Sequence, residues 1–227
     1  MKVIILLALV LSLVACQRQW AVLVAGSNTY SNYRHQADVF HAYQTLIRSG
    51  FDKEYIITFA YDDIANSVSN PYKGKVFNKL SYTNAGVDVY AGVTIDYRGA
   101  DVTPDNFLAA LEGNEAATKG KKVLKTTPND KVFIFFSDHG SPGLIAFPSK
   151  YLYADQLLQT FNKITGKFDK LVFYLEVPIA PYRPANQAQC SKNCQLTLTS
   201  TVSLLQTPAS LHGELTAVPT MWSKAST

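Results

Sequence analysis

The stretch KVFIFFSDHGS, residues 131–141, decides the fold of this chain. Its first part is a continuous apolar run, and such runs are typical of parallel strands that are buried on both faces of a sheet. Asp138, His139 and Gly140 follow the run directly. Because open α/β sheets hold their sites beyond the carboxyl ends of the strands, the stretch predicts a central strand and a site at its end.

Strand-like and helix-like segments alternate around this stretch. Three further runs have the same apolar character: 20–27, 55–61 and 170–176. Three segments between the runs have a helical period or a helix cap: 34–49, 103–111 and 154–164. Residues 62–99 are polar and rich in glycine and predict loops, and 144–147 predicts a short hairpin arm. This order predicts an α/β fold with an open, mostly parallel sheet and helices on both faces.

The composition indicates one sizeable core. Of 227 residues, 47% are hydrophobic and 17% are charged, which is too apolar a balance for disorder. The net charge of +4 is spread thinly, and its densest part, the lysines of 119–125, is interpreted as a solvated loop. Because no aromatic residues are interleaved with these lysines, we expect no nucleic-acid partner.

Residues 1–16, MKVIILLALVLSLVAC, are interpreted as a signal peptide, because Lys2 precedes an apolar run that ends in small residues. The run is shorter than the roughly 20 residues that a bilayer core requires, so we expect no stable membrane anchor. A bacterial lipoprotein cleavage site before Cys16 is the alternative. The signal predicts the secretory pathway, with 17–176 as the folded domain.

Three of the predicted strands end in polar groups that would meet at one edge of the sheet. Ser27 and Asn28 follow the first strand, Asp138 and His139 follow the third, and Glu176 ends the fourth. A histidine at a strand end is as often a structural residue as a catalytic base. The spacing alone therefore leaves the role of His139 open.

Two other polar clusters have a structural and a functional interpretation. Arg34 can pair with Asp38 one helical turn later, or it can hold a polar substrate group together with His35. Asp62 and Asp63 have no third ligand nearby in the sequence and fit a loop cap better than a metal site. Because the chain has no zinc spacing, phosphate loop or Gly-x-Ser-x-Gly motif, we expect no metal and no cofactor.

Six stretches of the chain resemble the legumain family, the asparaginyl endopeptidases among the cysteine peptidases. They are WAVLVAGS, NYRHQADVFHAYQ, YDDIANSVSNP, DVYAGVTIDYRGADVTPDNFLAALEG, KVFIFFSDHGSPGLIAFP and KLVFYLE, and they cover about residues 20–176 in order. The GPI-transamidase catalytic subunit shares the Asn-Tyr-Arg-His element, but NYRHQAD together with SDHGS is closer to legumain. The resemblance implies a caspase-like α/β fold.

The resemblance also implies catalytic roles. In the family a histidine and a cysteine form the catalytic dyad. His139 matches this histidine, and Asn32 matches the asparagine that supports it. Gly140 matches an oxyanion-hole N–H, and Asp138 matches the aspartate that precedes the histidine.

Three residues match the first half of the family's pocket for the substrate asparagine side chain: Arg34, His35 and Glu176. A primary amide needs both a hydrogen-bond donor and an acceptor. Arg34 and Glu176 would supply these two groups, so the physical chemistry agrees with the resemblance.

The family's nucleophile is missing from the chain. Legumains continue from the strand-end glutamate as EACESGSMF, whereas this chain reads EVPIAPY from Glu176, with Pro178 in the cysteine's place. Without a thiolate no acyl-enzyme can form. Residues 177–227 are rich in proline, serine and threonine and have no sustained period, so we predict an incomplete peptidase domain and a tail without structure of its own.

The tail is predicted to be an out-of-frame translation. If the third base of each codon from Arg183 onward begins a new codon, RPANQAQCS can encode ACESGSMF, and LHGELTAVPTMWS can encode WGTYC, one open residue and PDDVV, which again resemble legumain. Codons 177–182 and two bases of Arg183 make an insert of 20 nucleotides that can begin GT and end AG, as an unspliced intron does. This account requires AGG for Arg183, CAG for Gln187 and CAA for Gln189.

The sequence therefore predicts a legumain-like cysteine endopeptidase that cleaves proteins after Asn, is secreted or lysosomal/vacuolar, and is inactive in the form given. The expected partners are protein or peptide substrates with Asn at the cleavage site. Two alternatives stay open. One is a non-catalytic homologue that binds Asn-bearing peptides, and the other is a GPI-transamidase-like subunit, which would need a membrane anchor.

Overall fold

The computed structural model describes residues 17–79 and 86–177 and two short strands beyond them. The strands are β1 (Gln19–Ala25), β2 (Ile56–Ala60), β3 (Tyr97–Arg98), β4 (Lys131–Ser137), β5 (Gly140–Ser141), β6 (Leu144–Ala146), β7 (Tyr151–Tyr153), β8 (Lys170–Glu176), β9 (Leu196–Leu198) and β10 (Val202–Gln206). The α-helices are α1 (Tyr33–Arg48), α2 (Pro104–Glu112) and α3 (Ala154–Ile164).

Seven strands form one sheet in the order β3-β2-β1-β4-β8-β10-β9. All neighbours in this sheet are parallel except β10 and β9, which are antiparallel. A separate antiparallel sheet has the order β5-β6-β7. The predicted α/β class with an open, mostly parallel sheet is confirmed, and the arrangement is consistent with a caspase-like fold.

The helices cover both faces of the sheet, as predicted. Alternate residues of a buried strand point to opposite faces, so β1 contributes to two separate apolar clusters. One cluster joins Val22 and Val24 to Phe107 of α2 and Phe161 of α3. The other joins Ala21, Leu23 and Ala25 of β1 to α1, including Phe40. The central strands are therefore buried from both sides, which explains their continuous apolar sequences.

The register of the three central strands brings their carboxyl ends to one line. Ala25 of β1 lies beside Ser137 of β4, and Ser137 lies beside Glu176 of β8. The pairing continues one step further, because Gly26 N donates to Ser137 O at 3.1 Å and Asp138 N donates to Glu176 O at 3.2 Å. The residues that follow these strands therefore start from the same edge of the sheet.

The helix and strand boundaries follow local signals. At α2, Thr103 Oγ1 accepts from Asn106 N at 3.2 Å, Pro104 occupies the first turn, and Gly113 ends the helix with φ 76°. The predicted strand at 20–27 ends two residues early because the chain leaves the sheet after Ala25. The one predicted at 55–61 is shorter because a 3-10 turn precedes it.

The range 62–99 is mostly loop, as predicted. Apart from β3, its described residues form one isolated bridge, between Phe77 and Asp88. Asn70 organises the first part of the loop, since its buried Nδ2 donates to the carbonyls of Ile64, Ala65 and Lys75 at 2.9 to 3.2 Å. An amide side chain thus adds to the backbone hydrogen bonds within the loop, such as Gly74 N to Ala65 O at 2.8 Å.

The lysines of 119–125 lie in a loop, with Lys119 and Lys125 exposed, but some of them also pair with other segments of the chain. Lys121 Nζ lies 3.1 Å from Asp101 Oδ2, and Lys125 pairs with Glu115. Lys122 Nζ donates to the carbonyl of Ile56 at 2.8 Å. These ammonium groups are near enough in space to carboxylates and carbonyls of other segments to pair with them, which the sequence spacing does not reveal.

The tail contributes two strands in the part that the structure describes. β10 pairs in parallel with β8, and β9 pairs with β10. The sequence predicts no structure of its own for 177–227, and these strands form on an existing edge, where the backbone groups of β8 supply the partners. The remaining residues after Val177 and the predicted signal peptide at 1–16 lie outside the described residues.

Among the described residues, no helix is long and apolar enough to cross a membrane.

Asp130 fastens the beginning of β1 to the beginning of β4. Its carboxylate accepts from Arg18 N at 2.9 Å, Thr127 N at 2.8 Å and the Arg18 guanidinium at 2.9 Å. Burial alone would raise the pKa of Asp130, but these hydrogen bonds and the charge of Arg18 more than offset it, so the pKa is lowered from its ordinary 3.8. The carboxylate form is therefore the one that stabilises the fold.

We expect Asp130→Ala to lower the free energy of unfolding by about 2 kcal/mol, because two backbone N–H groups lose their acceptor. A lowered carboxyl pKa contributes stability above the unfolded value, and the contribution is lost as pH falls through the folded pKa. Urea unfolding at pH 7 and at pH 3 measures both effects. The matched control is Asp155→Ala, which removes an exposed aspartate on α3. Equal stability of the two variants at pH 7 would contradict the role of Asp130.

Candidate functional site

Asn32 holds the ring of His139. Asn32 lies in the 3-10 turn directly before α1, and His139 follows β4. Asn32 Nδ2 donates to Asn28 O at 2.9 Å, which assigns Oδ1 as the atom that lies 2.9 Å from His139 Nε2. Because Oδ1 only accepts, Nε2 carries the ring hydrogen and Nδ1 keeps a lone pair. The tautomer of His139 is thereby fixed as that of a base acting through Nδ1.

His35 and Asp138 form a buried pair behind His139. Their side chains are 3% and 1% exposed, and His35 Nδ1 lies 3.1 Å from Asp138 Oδ1 and 2.6 Å from Ser27 Oγ. Nδ1 is hydrogen-bonded to Ser27 Oγ and lies beside the Asp138 carboxylate. A lone pair on Nδ1 would face that negative charge, so the ring hydrogen of His35 belongs on Nδ1 and is donated to Ser27 Oγ. The rings of His35 and His139 meet edge to face with centroids 4.9 Å apart.

Gly26 makes room for Asp138. A Cβ at position 26 would stand 2.6 Å from Asp138 Oδ2 and 2.6 Å from the carbonyl oxygen of Ala146. A Cβ does not approach a non-bonded oxygen this closely, so only glycine fits where β1 leaves the sheet. Gly26 was not among the candidate residues of the sequence analysis, although its place at the end of an apolar run was a usable signal.

Asp63 supports the loop that carries Asn32. Its carboxylate accepts from Thr29 N at 2.6 Å and from Gln36 Nε2 at 2.8 Å, and Gln36 Oε1 accepts from Asp62 N at 3.2 Å. Thr29 has a φ of 69°, which is unfavourable for a β-branched residue and must be held by its surroundings. The sequence favours a loop cap over a metal site at Asp62 and Asp63. The contacts of Asp63 with Thr29 N and Gln36 Nε2 are those of a loop cap.

Asp62 has a second partner on the neighbouring strand. Its Oδ2 lies 3.0 Å from Arg98 Nη1 of β3, and its backbone φ is 66°. Two residues with positive φ, Thr29 and Asp62, are thus tied to the same network beside the start of α1. Strain of this kind clusters at functional sites. The sequence could not reveal Arg98 or Gln36 as members, because their contacts depend on the folded sheet.

The environment of His139 favours the neutral form of its imidazole. The side chain is exposed overall, but partial burial of the ring lowers the pKa of His139 from its ordinary 6.5, and the nearby His35 and Arg34 lower it further, whereas Asp138 opposes them. A base must be unprotonated at the working pH to accept a proton. The lowered pKa of His139 therefore suits this ring to general-base chemistry.

The other predicted site residues lie at the same end of the sheet. Arg34 is exposed in the first turn of α1, and Glu176 is partly exposed at the end of β8. Gly140 begins β5, and a Cβ there would lie 3.3 Å from Cβ of Val177. The residue after Val177, Pro178, lies outside the described residues. The chain thus passes Gly140 directly before the position at which the family's nucleophile is expected.

This arrangement can accept a proton and hold a polar group. It offers a neutral imidazole with a fixed tautomer, a guanidinium and a carboxylate at one sheet edge. The described residues contain no cysteine, since Cys16, Cys190 and Cys194 all lie outside them. The described part of the site therefore presents an imidazole, a guanidinium and a carboxylate without a thiol.

Comparison with known proteins identifies the family. The model of the peptidase C13 family matches residues 19–180, and the chain belongs to this family. It is 51% identical over 165 residues to a hemoglobinase from Schistosoma mansoni and 49% identical over 164 residues to legumain from Rattus norvegicus. It is 50% identical over 163 residues to a vacuolar-processing enzyme from Vicia sativa. The resemblance to legumain in the sequence is confirmed.

The matched region is most of this chain but a minor part of the relatives. It covers 72% of this chain and 37% of the hemoglobinase, and 70% of this chain and 37% of the rat legumain. For the vacuolar-processing enzyme it covers 70% of this chain and 32% of the relative. The chain thus spans about a third of the length of the relatives that it matches.

We expect an NMR titration of His139 to show a midpoint below 6.5, because burial disfavours the charged ring. Arg34→Gln should move the midpoint upward, since a neighbouring positive charge is removed. The matched control, Lys150→Gln, neutralises an exposed cation that pairs with Asp105 and should leave the midpoint unchanged. A midpoint above 6.5, or one that Arg34→Gln does not raise, would contradict this account of the site.

We expect Asp63→Ala to lower the free energy of unfolding by about 1 kcal/mol and to shift the ring resonances of His139, because Thr29 and Gln36 lose their common acceptor. Two-dimensional NMR of the ring protons and urea unfolding measure the two effects. Asp105→Ala, which removes a carboxylate paired with Lys150, is the control and should leave His139 unchanged. If Asp63→Ala changes only stability, Asp63 does not position the site.

Proposed function

We propose that this chain carries the base and the first half of the substrate pocket of a cysteine endopeptidase that cleaves proteins after Asn. The observation that carries the proposal is the Asn32–His139 hydrogen bond of 2.9 Å, which leaves the lone pair of Nδ1 available. Membership of the peptidase C13 family supports a thiol as the group that this base serves. The whole activity requires a cysteine that the chain lacks at the expected position.

The reaction follows from the positions of these groups. In a form that reads ACESGSMF after Glu176, the thiol would give its proton to His139 Nδ1, and the thiolate would attack the scissile carbonyl. The Gly140 N–H would stabilise the developing oxyanion. The C–N bond would then break, His139 would protonate the leaving amine, and water would hydrolyse the thioester with His139 again as the base.

The pocket would select asparagine by hydrogen-bond complementarity. The carboxamide of Asn has a donor and an acceptor, and Glu176 and Arg34 present the opposite groups at the end of β8 and the start of α1. His35 is the third member of this half of the pocket, and, because it is buried beside Asp138 and the ring of His139, it would also hold these two side chains in place. A site of this kind rejects a side chain that leaves its polar groups unpaired.

The chain as printed should not hydrolyse peptides, because Pro178 occupies the position of the nucleophile. Base and pocket remain, but loss of a member of a catalytic set leaves only about 10³- to 10⁴-fold acceleration over water. We propose that residues after Glu176 are read out of frame and that excision of 20 nucleotides restores the cysteine.

The compartment is proposed from two sources. A relative that is 50% identical is named a vacuolar-processing enzyme, which supports a vacuolar or lysosomal location. The apolar run after Lys2 supports entry into the secretory pathway. Secretion from the cell is the alternative to a vacuolar or lysosomal location. Peptidases of this kind act on protein substrates, so protein or peptide substrates with Asn at the cleavage site are the proposed partners.

A second candidate rests on the sequence EVPIAPY itself. If these residues belong to the correct reading frame, the chain is a non-catalytic homologue that binds Asn-bearing peptides through Arg34 and Glu176. Such a protein keeps the pocket and lacks turnover. The two candidates differ in the transcript, since only the first requires AGG at codon 183.

We expect the form that continues from Glu176 into ACESGSMF to cleave peptides after Asn and not after Asp, Gln or Ala. His139→Ala in that form should reduce kcat/KM by about 10⁴-fold or more, because the thiol loses its base. Arg34→Gln should mainly lower the preference for Asn over Ala at the cleavage site. Cleavage of a peptide series followed by mass spectrometry gives all three results.

Two controls separate the candidates. The same form with its restored cysteine changed to serine, and the chain as printed, should both be inactive in the peptide assay. Genomic and transcript sequencing across codons 170–190 supplies the second control. A CGN codon for Arg183, or a transcript that only ever retains the 20 bases, would refute the excision and favour the non-catalytic homologue.

A further inference from the structure

Three side chains of the site bring possible metal-ligand atoms close together. One ligand atom from each of His35, Asp138 and His139 lies within 4.8 Å of the other two. His35 and Asp138 are buried, and His139 is exposed and gives access from solvent. The set contains two imidazoles and a carboxylate, which is a combination that zinc accepts in proteins.

The hydrogen bonds leave lone pairs within this set. His139 donates through Nε2 to Asn32, so its Nδ1 is unprotonated. His35 carries its hydrogen on Nδ1, beside Ser27 Oγ and Asp138 Oδ1, so its Nε2 is unprotonated. Neutral imidazole nitrogens with the hydrogen on the opposite ring atom are the form in which histidine binds metals.

Two of these atoms lack a partner. His35 Nε2 and Asp138 Oδ1 are buried and make no hydrogen bond to any described residue. Asp138 Oδ1 lies 3.1 Å from His35 Nδ1, but the Nδ1 hydrogen is directed to the nearer Ser27 Oγ. A buried acceptor without a partner is costly, and a cation would compensate it.

We propose that His35, Asp138 and His139 form a binding site for a divalent transition-metal ion of the Zn²⁺ type, with water as the fourth ligand. This site goes beyond the proposed peptidase function and does not depend on it. The ion would occupy the Nδ1 lone pair that a thiol would otherwise use, so metal binding and base catalysis exclude each other. In this respect the ion is an inhibitor and not a cofactor.

The geometry fits after a small movement. Tetrahedral zinc with bonds of about 2.1 Å holds its ligand atoms about 3.4 Å apart, whereas the three side chains offer ligand atoms within 4.8 Å of one another, so the set must contract by up to somewhat more than 1 Å. The exposed side chain of His139 can supply part of this movement. Asn32 would act as the outer partner that orients the metal-binding ring, as carboxylates and carbonyls do at other zinc sites.

Nearby charges limit the affinity. Arg34 acts electrostatically on His139 and opposes a second cation, whereas the buried carboxylate of Asp138 attracts it. The Arg34 side chain is exposed, so water screens its repulsion more than it screens the attraction of Asp138. We therefore expect Arg34→Gln to tighten zinc binding.

The experiment measures Zn²⁺ binding to the full printed chain by isothermal titration calorimetry, with Co²⁺ as the spectroscopic probe. The starting protein carries Cys16→Ser, Cys190→Ser and Cys194→Ser, because free thiols bind the same ions. The expected result is one Zn²⁺ per chain, together with visible Co²⁺ bands of a tetrahedral site. His139→Ala should abolish both signals, and Asn32→Ala should weaken binding by about tenfold.

The other histidines supply the matched controls. His41→Ala and His212→Ala change a histidine outside the set and should leave the affinity unchanged. Asp138→Asn keeps the shape of the buried side chain and should weaken binding, with near-ultraviolet circular dichroism confirming that the fold persists. Absence of stoichiometric binding, binding that survives His139→Ala, or binding that His212→Ala abolishes would each overturn the proposal.

Discussion

The side-by-side register of β1, β4 and β8 is the constraint on which the rest of the structure depends. Ala25, Ser137 and Glu176 lie in one row, so the loops that leave these strands begin within a few ångströms of each other. The strands keep this register because both faces are buried, and a slip by one residue would turn every apolar side chain to the wrong face. The meeting of Ser27, Asp138 and Val177 at one edge is a consequence of that packing.

A second level of organisation holds the histidine at this edge. Asn32 contacts His139, and the loop before α1 that carries Asn32 is bonded to Asp63, which in turn follows β2. The histidine thus lies where three separate segments meet at the edge of the sheet. This explains why a polar cluster at a helix entrance and a polar cluster at a strand end belong to one site although 107 residues separate Asn32 from His139.

The sequence predicted the elements whose signals are local. The strands at 131–137 and 170–176 and the helix at 154–164 have the bounds that their apolar runs and periods indicated. The partners of Gln36 and Arg98 could not be predicted, because each depends on a distant segment being close in space. The same reason applies to the ligand set of His35, Asp138 and His139, since no sequence spacing reports a distance across the sheet edge. The two tail strands depend on the open edge of β8 and not on a period of their own.

The missing side chain of Gly26 has a mechanical consequence. The carbonyl of Ala146 stands so near to this glycine that not even a methyl group fits between β1 and β6. Ala146 N is also bonded to the carbonyl oxygen of His139, so β6 and the histidine loop move together. The contact at Gly26 therefore sets a lower limit on the distance between β1 and the loop that carries His139, because the backbone carbonyl of Ala146 cannot come closer to the backbone of Gly26.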